Sequence, residues 1–172
     1  FILVSWDHDF TFVYPHHGVW LPNWYASEIV QRILNYPDFT RWYYQNIASI
    51  AADEFSIEEM FPRIDALPDV VSEGDRNELK DYVTDRIPKL NSEIPATRLS
   101  IRTNGGASFS TTQPEVTLEG DCSPLRDVTV NGSPAGLRYP TATTWRYTSA
   151  LPMRDNVFVF TDGLDTRKIT VY

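Results

Sequence analysis

The apolar residues of this chain change their period once, at Ile94-Pro95. Before this point they recur at helical spacing, as Leu79, Val83 and Leu90 do. After it, short segments alternate apolar and polar residues, which is the period of a strand with one buried face. A helical part followed by a part made of strands predicts an α+β protein with a domain boundary near residue 96.

Start and stop signals predict four helices in the first part. They cover residues 27–35, residues 38 or 40 to about 55, a segment that begins at Ser56 and contains Pro62, and residues 75 to about 92. Ser56 and Glu59 match the S-x-x-E capping box, and Pro62 should bend its helix. In the second helix the spacing predicts a buried stripe of Trp42, Tyr43, Ile47, Ile50 and Ala51.

The second part predicts a small antiparallel β-sandwich. Its strands are expected at residues 99–102, 115–119, 127–130, 144–147, 156–160 and 167–172, with turn residues between them. Asn131-Gly132 is the strongest of these turn signals, because two-residue hairpin turns favour this pair. Several short strands within about 75 residues are typical of a sandwich.

The N-terminal stretch joins a short apolar run to two aspartates. Residues 1–4 suit a buried strand, and Asp7 and Asp9 lie where that strand would end. At a spacing of two, both carboxylates project to the same side if the chain stays extended. Hard cations such as Mg²⁺ prefer carboxylate oxygens. The pattern therefore predicts a metal site at Asp7 and Asp9, and the alternative is an aspartate-rich turn after a strand.

The same stretch resembles a known signature. Residues 6–12, Trp-Asp-His-Asp-Phe-Thr-Phe, are similar to the W-D-x-D-x-T-[FW] motif of the spore-coat protein H (CotH) kinase family, and the likeness continues through residues 32–39 and 85–90. The resemblance implies that residues 1–95 are the C-terminal part of a kinase domain. It implies Asp7 as the metal ligand at ATP, Asp9 as a second one, and a catalytic aspartate upstream of this chain. Val13 departs from the motif, which has glycine there.

Residues 96–172 resemble a bacterial immunoglobulin-like domain in the Asn131-Gly132 turn, the Trp145 strand and the terminal strand with Ile169. Together the two resemblances imply an α+β chain, with a mainly helical, partial kinase-like C-lobe followed by a small immunoglobulin-like sandwich. They also imply a bacterial protein at the cell surface or outside the cell.

Charge and composition exclude some partners. The net charge of −8 argues against nucleic acid as the main partner, because binding phosphate backbones needs a basic face. Residues 1–95 carry 16 acidic and 7 basic side chains, and residues 96–172 carry 7 and 8, which also favours a boundary near residue 96. The apolar runs are shorter than the about 20 residues of a membrane span. Cys122 is the one cysteine, so it has no partner for a disulfide within the chain.

Three functions fit these features. The first is a fragment of a CotH-like protein kinase that uses Mg²⁺ and ATP, inactive alone because the first lysine is Lys80 and no glycine-rich phosphate loop is present. A strand at residues 1–4 would then need a missing N-terminal part, and the partners would be that part, a protein substrate or other subunits. The second is a non-catalytic binding or structural module of an extracellular assembly. The third is a metal-dependent hydrolase built on Asp7, His8, Asp9 and the pair His16-His17.

Overall fold

The computed structural model describes Glu28, Arg32, Ile33 and residues 35–172. From residue 35 onward the protein has three α-helices followed by seven strands in two antiparallel sheets, so the α+β prediction is confirmed. The predicted strand at residues 1–4, Asp7 and Asp9 lie outside the described residues. Of the helix predicted at residues 27–35, the described positions Glu28, Arg32 and Ile33 are helical.

The helices are α1 (Pro37–Ala52), α2 (Ile57–Asp65) and α3 (Glu73–Ser92). Ser56 caps α2 as predicted, since its hydroxyl accepts the Glu59 N–H at 3.3 Å. A complete capping box begins α3. The Ser72 hydroxyl accepts a hydrogen bond from the Asp75 N–H, and the Asp75 carboxylate accepts one from the Ser72 N–H, each at 3.1 Å. The box explains why α3 begins two residues before the predicted start.

Helices α2 and α3 pack together as a hairpin. The Lys80 ammonium of α3 binds the Asp65 carboxylate at 2.6 Å and lies 5.3 Å from the centre of the Phe61 ring. The Arg76 guanidinium donates to the carbonyl of Leu67 in the connecting loop at 2.9 Å. Apolar burial adds to these contacts, because Ile64 of α2 and Val83 of α3 are buried. No helix of the described part of the chain is long and apolar enough to cross a membrane.

Seven strands follow: β1 (Ser100–Ile101), β2 (Glu115–Asp121), β3 (Thr129–Val130), β4 (Leu137–Thr141), β5 (Thr144–Ala150), β6 (Asn156–Thr161) and β7 (Thr166–Val171). All six predicted strands are present. Strand β4 was not predicted, because Pro140 interrupts its pattern and cannot donate to a strand ladder. The strand tolerates this proline because it lies at the edge of its sheet.

The sheets have the strand orders β1-β2-β5-β4 and β3-β6-β7 and enclose one core. Trp145 of the first sheet stacks on Phe160 of the second, with ring centres 4.3 Å apart, and both side chains are fully buried. Gly120 lies opposite Trp145, where a Cβ would stand 1.9 Å from the Ser100 carbonyl oxygen. Only glycine therefore fits at this crossing of β1, β2 and the tryptophan.

Asn131-Gly132 forms the predicted tight turn, with φ of 49° and 81°. The N–H of Val130 donates to the Ser133 carbonyl at 2.8 Å, which closes a two-residue loop. The hairpin consists of this one bridged pair, Val130 and Ser133. The chain then crosses to the other sheet, so β3 pairs with β6 and β4 pairs with β5.

The described residues form two compact units. The helical unit contains Asn46–Ile94, and the β unit contains the described residues up to Gln45 together with Pro95–Tyr172. The break at Pro95 falls where the period of the apolar residues changes. The first turns of α1 belong to the β unit, which residue periodicity does not indicate. The assignment of residues 1–95 and 96–172 as kinase-like and immunoglobulin-like domains stays a prediction.

Candidate functional site

The predicted metal ligands Asp7 and Asp9 lie outside the described residues, as do His8, His16 and His17. The metal site stays a prediction. Among the residues that the structure does describe, no group of three or more histidine, cysteine, aspartate or glutamate side chains is placed to hold a metal ion. The β unit instead contains two adjoining features with defined chemistry, a buried arginine cluster and a surface groove.

Arg41 is the centre of the buried cluster. Its side chain is only 3% exposed, although it lies on α1 in a stretch that the sequence predicts as an apolar face. The predicted stripe is wrong at two positions, since Trp42 is 56% and Ile50 is 45% exposed. Tyr44 and Arg41 are buried in their place. The buried face of α1 is therefore rotated relative to the apolar pattern, and the rotation brings a guanidinium inside.

The guanidinium of Arg41 is held by backbone carbonyls of two loops. It donates to Ser123 at 3.1 Å, to Ala142 at 2.9 Å and to Arg126. Ser123 and Arg126 lie in the β2–β3 loop, and Ala142 lies in the β4–β5 turn. These carbonyls accept hydrogen bonds from several N–H groups of one planar guanidinium, and only arginine offers such a set of donors. The first turns of α1 are thereby fixed to one end of the sandwich.

Side chains complete the cluster. The Asp127 carboxylate accepts from Arg41 at 3.2 Å, the Cys122 sulfur lies at 3.4 Å, and the guanidinium stacks 3.8 Å from the centre of the Tyr139 ring. Asp127 is 73% exposed, so water screens this ion pair and it contributes little. Gln45, one turn along α1, adds a bond to the Pro124 carbonyl at 3.3 Å. The carbonyl bonds and the stacking therefore carry most of the stabilisation.

Burial dominates the acid–base chemistry of this cluster. It raises the pKa of the Cys122 thiol, and the neighbouring positive charge of Arg41 only partly opposes the shift. Burial likewise raises the pKa of Tyr139, although its hydroxyl accepts the Val128 N–H at 2.9 Å. A fully buried thiol with a raised pKa is a poor nucleophile. The arrangement is that of a structural cluster and not of a cysteine-based active site.

The raised pKa of Cys122 predicts alkaline sensitivity. The unfolded thiol ionises near its ordinary pKa of 9.0, whereas the folded thiol resists ionisation. The stabilisation from this group is therefore complete below about pH 9 and is lost as the pH rises through the folded pKa. We expect Cys122→Ala to lower stability at neutral pH but to flatten the decline of stability above about pH 9, as measured by urea denaturation at several pH values. An unchanged slope in the variant would contradict this assignment.

A surface groove of about 510 Å³ adjoins the cluster. One wall is the start of α1, and the other is the outer face of β4 and β5. The lining residues are Tyr36, Pro37, Asp38, Leu137, Arg138, Tyr139, Pro140 and Arg146. Arg138 and Arg146 stand directly opposite each other across β4 and β5. Arg146 also binds Glu119 of β2 at 2.7 Å, whereas no ion pair of Arg138 is found among the described residues.

A second groove, in the helical unit, is lined by acidic residues. Asp53, Glu54, Glu58 and Glu59 are exposed around the start of α2, and Arg63 binds Glu59 at 3.0 Å. Carboxylates at a helix N-terminus interact favourably with the helix dipole. The cluster fits the solvated helical surface that its charge pattern indicates.

Sequence reasoning missed both features of the β unit. The bonds of Arg41 reach residues 81 to 101 positions away, so no local pattern announces them. The sequence does show that Arg41 lies three residues before Tyr44 and shares its helix face. This spacing indicates that the two residues would be buried together, but it does not indicate the partners of Arg41. The groove was missed because strand β4 was not predicted. Comparison of the chain with protein-family models, with curated proteins and with solved structures gives no match.

Proposed function

We propose that this chain is the C-terminal part of a CotH-like atypical protein kinase, which transfers a phosphoryl group from Mg-ATP to protein. The observation that carries the proposal is the Trp-Asp-His-Asp-Phe-Thr-Phe sequence of residues 6–12. The spacing of its two aspartates suits a hard cation, independently of the resemblance. The helices after it agree with the mainly helical character expected of the rest of such a lobe.

In this proposal the two aspartates have separate roles. Asp7 would ligate the Mg²⁺ that accompanies ATP, and Asp9 would support the ion directly or through water. Mg²⁺ commonly takes one or two protein carboxylates and fills its remaining positions with water and phosphate oxygens. The ion would neutralise charge on the phosphates during transfer. Two carboxylates are therefore sufficient for the part that this chain contributes.

Other parts of the catalytic machinery must come from elsewhere. Phosphoryl transfer also needs groups that position the phosphates and a residue that orients the acceptor hydroxyl. The first lysine of this chain is Lys80, and Gly105, Gly106 and Gly132 lie in the β unit, far along the chain from residues 6–12. We therefore expect residues 1–172 alone to lack transfer activity and a longer protein to have it.

Calorimetric titration with ATP tests the proposal. A longer protein that adds the preceding sequence is expected to bind ATP saturably in the presence of Mg²⁺, and residues 1–172 alone are expected to bind it far more weakly. Omission of Mg²⁺ is the control and should weaken binding to the longer protein. A folded longer protein that binds no Mg-ATP would contradict the kinase and favour the second candidate.

The second candidate is a non-catalytic binding or structural module of an extracellular assembly. The observation that favours it is the strand order of the β unit, β1-β2-β5-β4 with β3-β6-β7. If the strands are lettered in chain order, these orders read A-B-E-D and C-F-G, which is the order expected of a constant-type immunoglobulin domain. Two departures are that Trp145 lies on the fifth strand and that Cys122 has no cysteine partner. Fold alone does not determine function, so this supports a module of that type without defining its ligand.

Both candidates place the protein at the bacterial cell surface or outside the cell. They differ in what a change at Asp7 does. In the kinase the carboxylate is needed for nucleotide binding, whereas in a structural module its replacement leaves partner binding unchanged. The buried Arg41 cluster is compatible with either candidate, because it stabilises the β unit whatever that unit binds.

A further inference from the structure

We propose that the groove between the start of α1 and strands β4 and β5 binds a phosphate dianion, free or as a monoester, through Arg138 and Arg146. The inference rests on the charges and register of the β unit and does not depend on the proposed kinase activity. The ligand chemistry is that of inorganic phosphate or of a phosphorylated side chain.

The register of β4 and β5 places the two arginines on one face of the sheet. Arg138 of β4 and Arg146 of β5 are a direct cross-strand pair, so their side chains leave the same face of the sheet. Both are exposed on the outer face, since their strand neighbours Leu137, Trp145 and Tyr147 pack against the core. Like charges directly opposite each other destabilise a strand pair. A dianion bound between them turns this repulsion into attraction.

Both arginines have N–H donors that the described residues do not occupy. Glu119 takes the Nε and one terminal nitrogen of Arg146 through a single carboxylate oxygen, which leaves its other terminal nitrogen for a ligand. The Arg138 side chain is exposed, and no hydrogen bond or ion pair of its guanidinium is found among the described residues. Guanidinium forks match phosphate oxygens in geometry and bind them in pairs.

The groove is large enough for a phosphorylated side chain, and its walls carry charges of both signs. Its volume of about 510 Å³ admits a phosphorylated side chain as well as a single ion. Tyr36, which is 60% exposed, adds a hydroxyl donor to the wall. Asp38 lines the same wall and opposes an anion. Arg138 should therefore carry the binding, and Asp38 should limit its strength.

Titration of the ¹⁵N-labelled protein with inorganic phosphate, at constant ionic strength, tests the proposal by NMR. We expect saturable shifts of the amide signals of Arg138 and Arg146. Arg138→Gln should weaken binding by about tenfold or more, because it removes charged hydrogen bonds. Asp38→Asn should tighten binding by about threefold, because it removes a nearby like charge. Arg154→Gln, at an exposed arginine outside the groove, is the matched control and should change the affinity less than about twofold.

Two further probes identify the source of the anion. A glycine-phosphoserine-glycine peptide that binds about tenfold more tightly than inorganic phosphate would assign the groove to phosphorylated protein, and equal affinities would assign it to the free anion. Equal binding of the unphosphorylated peptide would overturn the proposal. So would the absence of saturation with phosphate, or equal losses in Arg138→Gln and Arg154→Gln, which indicate diffuse attraction. Thermal unfolding of each variant checks that it is folded.

Discussion

Arg41→Met is expected to lower the free energy of unfolding of the β unit by about 3–5 kcal/mol. Methionine fills similar space but donates no hydrogen bond. The carbonyls of Ser123, Arg126 and Ala142 then lose the guanidinium that satisfies them. The bond to Ser123 is buried, and those to Ala142 and Arg126 are partly buried. A hydrogen bond to a charged group contributes about 1.5–3 kcal/mol, so the loss of two or three of them reaches the expected value. Urea denaturation followed by circular dichroism measures the effect.

Matched variants separate the contributions to this loss. Arg41→Lys keeps the positive charge but not the planar fork, so we expect about half of the loss. Asp127→Asn should cost less than about 1 kcal/mol, because that carboxylate is 73% exposed. Arg63→Met, at an exposed ion pair of α2, is the control for a charge change on a helix and should stay within about 0.5 kcal/mol. An Arg41→Met protein within this same range would show that the cluster does not stabilise the β unit.

The strands could be predicted because their alternation is a local signal. Each predicted strand has a buried face that apolar residues mark at every second position, as Val116 and Leu118 do in β2. The Asn131-Gly132 turn was also predictable, since its two positive φ values favour this residue pair. What the turn does not specify is which sheet the chain enters next. The pairing of β3 with β6 and of β4 with β5 decides that, through contacts distant in sequence.

The helices show the same division between local and distant effects. The cap at Ser56 was predicted, whereas α3 begins earlier than expected because Asp75 takes the place that glutamate has in the usual capping box. The buried face of α1 was predicted wrongly at Trp42 and Ile50. A prediction from apolar spacing places arginine on the side of the helix that faces water. Arg41 is buried instead, because backbone carbonyls of the β unit accept hydrogen bonds from its guanidinium.

Asp7→Asn is expected to abolish phosphoryl transfer by the longer protein that the proposal requires. Asparagine keeps the size and much of the hydrogen bonding of aspartate but lacks the charge that Mg²⁺ needs. Without the ion, the charge on the ATP phosphates is not neutralised during transfer. We expect the fold to be retained, because the proposed role of the residue is at the metal and not in a core. Circular dichroism of the variant is the folding control.

Asp9→Asn serves as the companion variant. If Asp9 supports the ion through water, its replacement should reduce transfer without abolishing it, since a water ligand is replaced more easily than a direct carboxylate. Undiminished transfer by a folded Asp7→Asn protein would remove Asp7 from the mechanism and assign the metal to Asp9.

Transfer of radiolabelled phosphate from ATP to a protein acceptor, with and without Mg²⁺, tests whether the longer protein is a magnesium-dependent kinase. The longer wild-type protein is predicted to label the acceptor only when Mg²⁺ is present, and the Asp7→Asn protein is predicted to leave it unlabelled. A folded wild-type protein that labels no acceptor and binds no Mg-ATP would contradict the assignment of this chain to a CotH-like kinase.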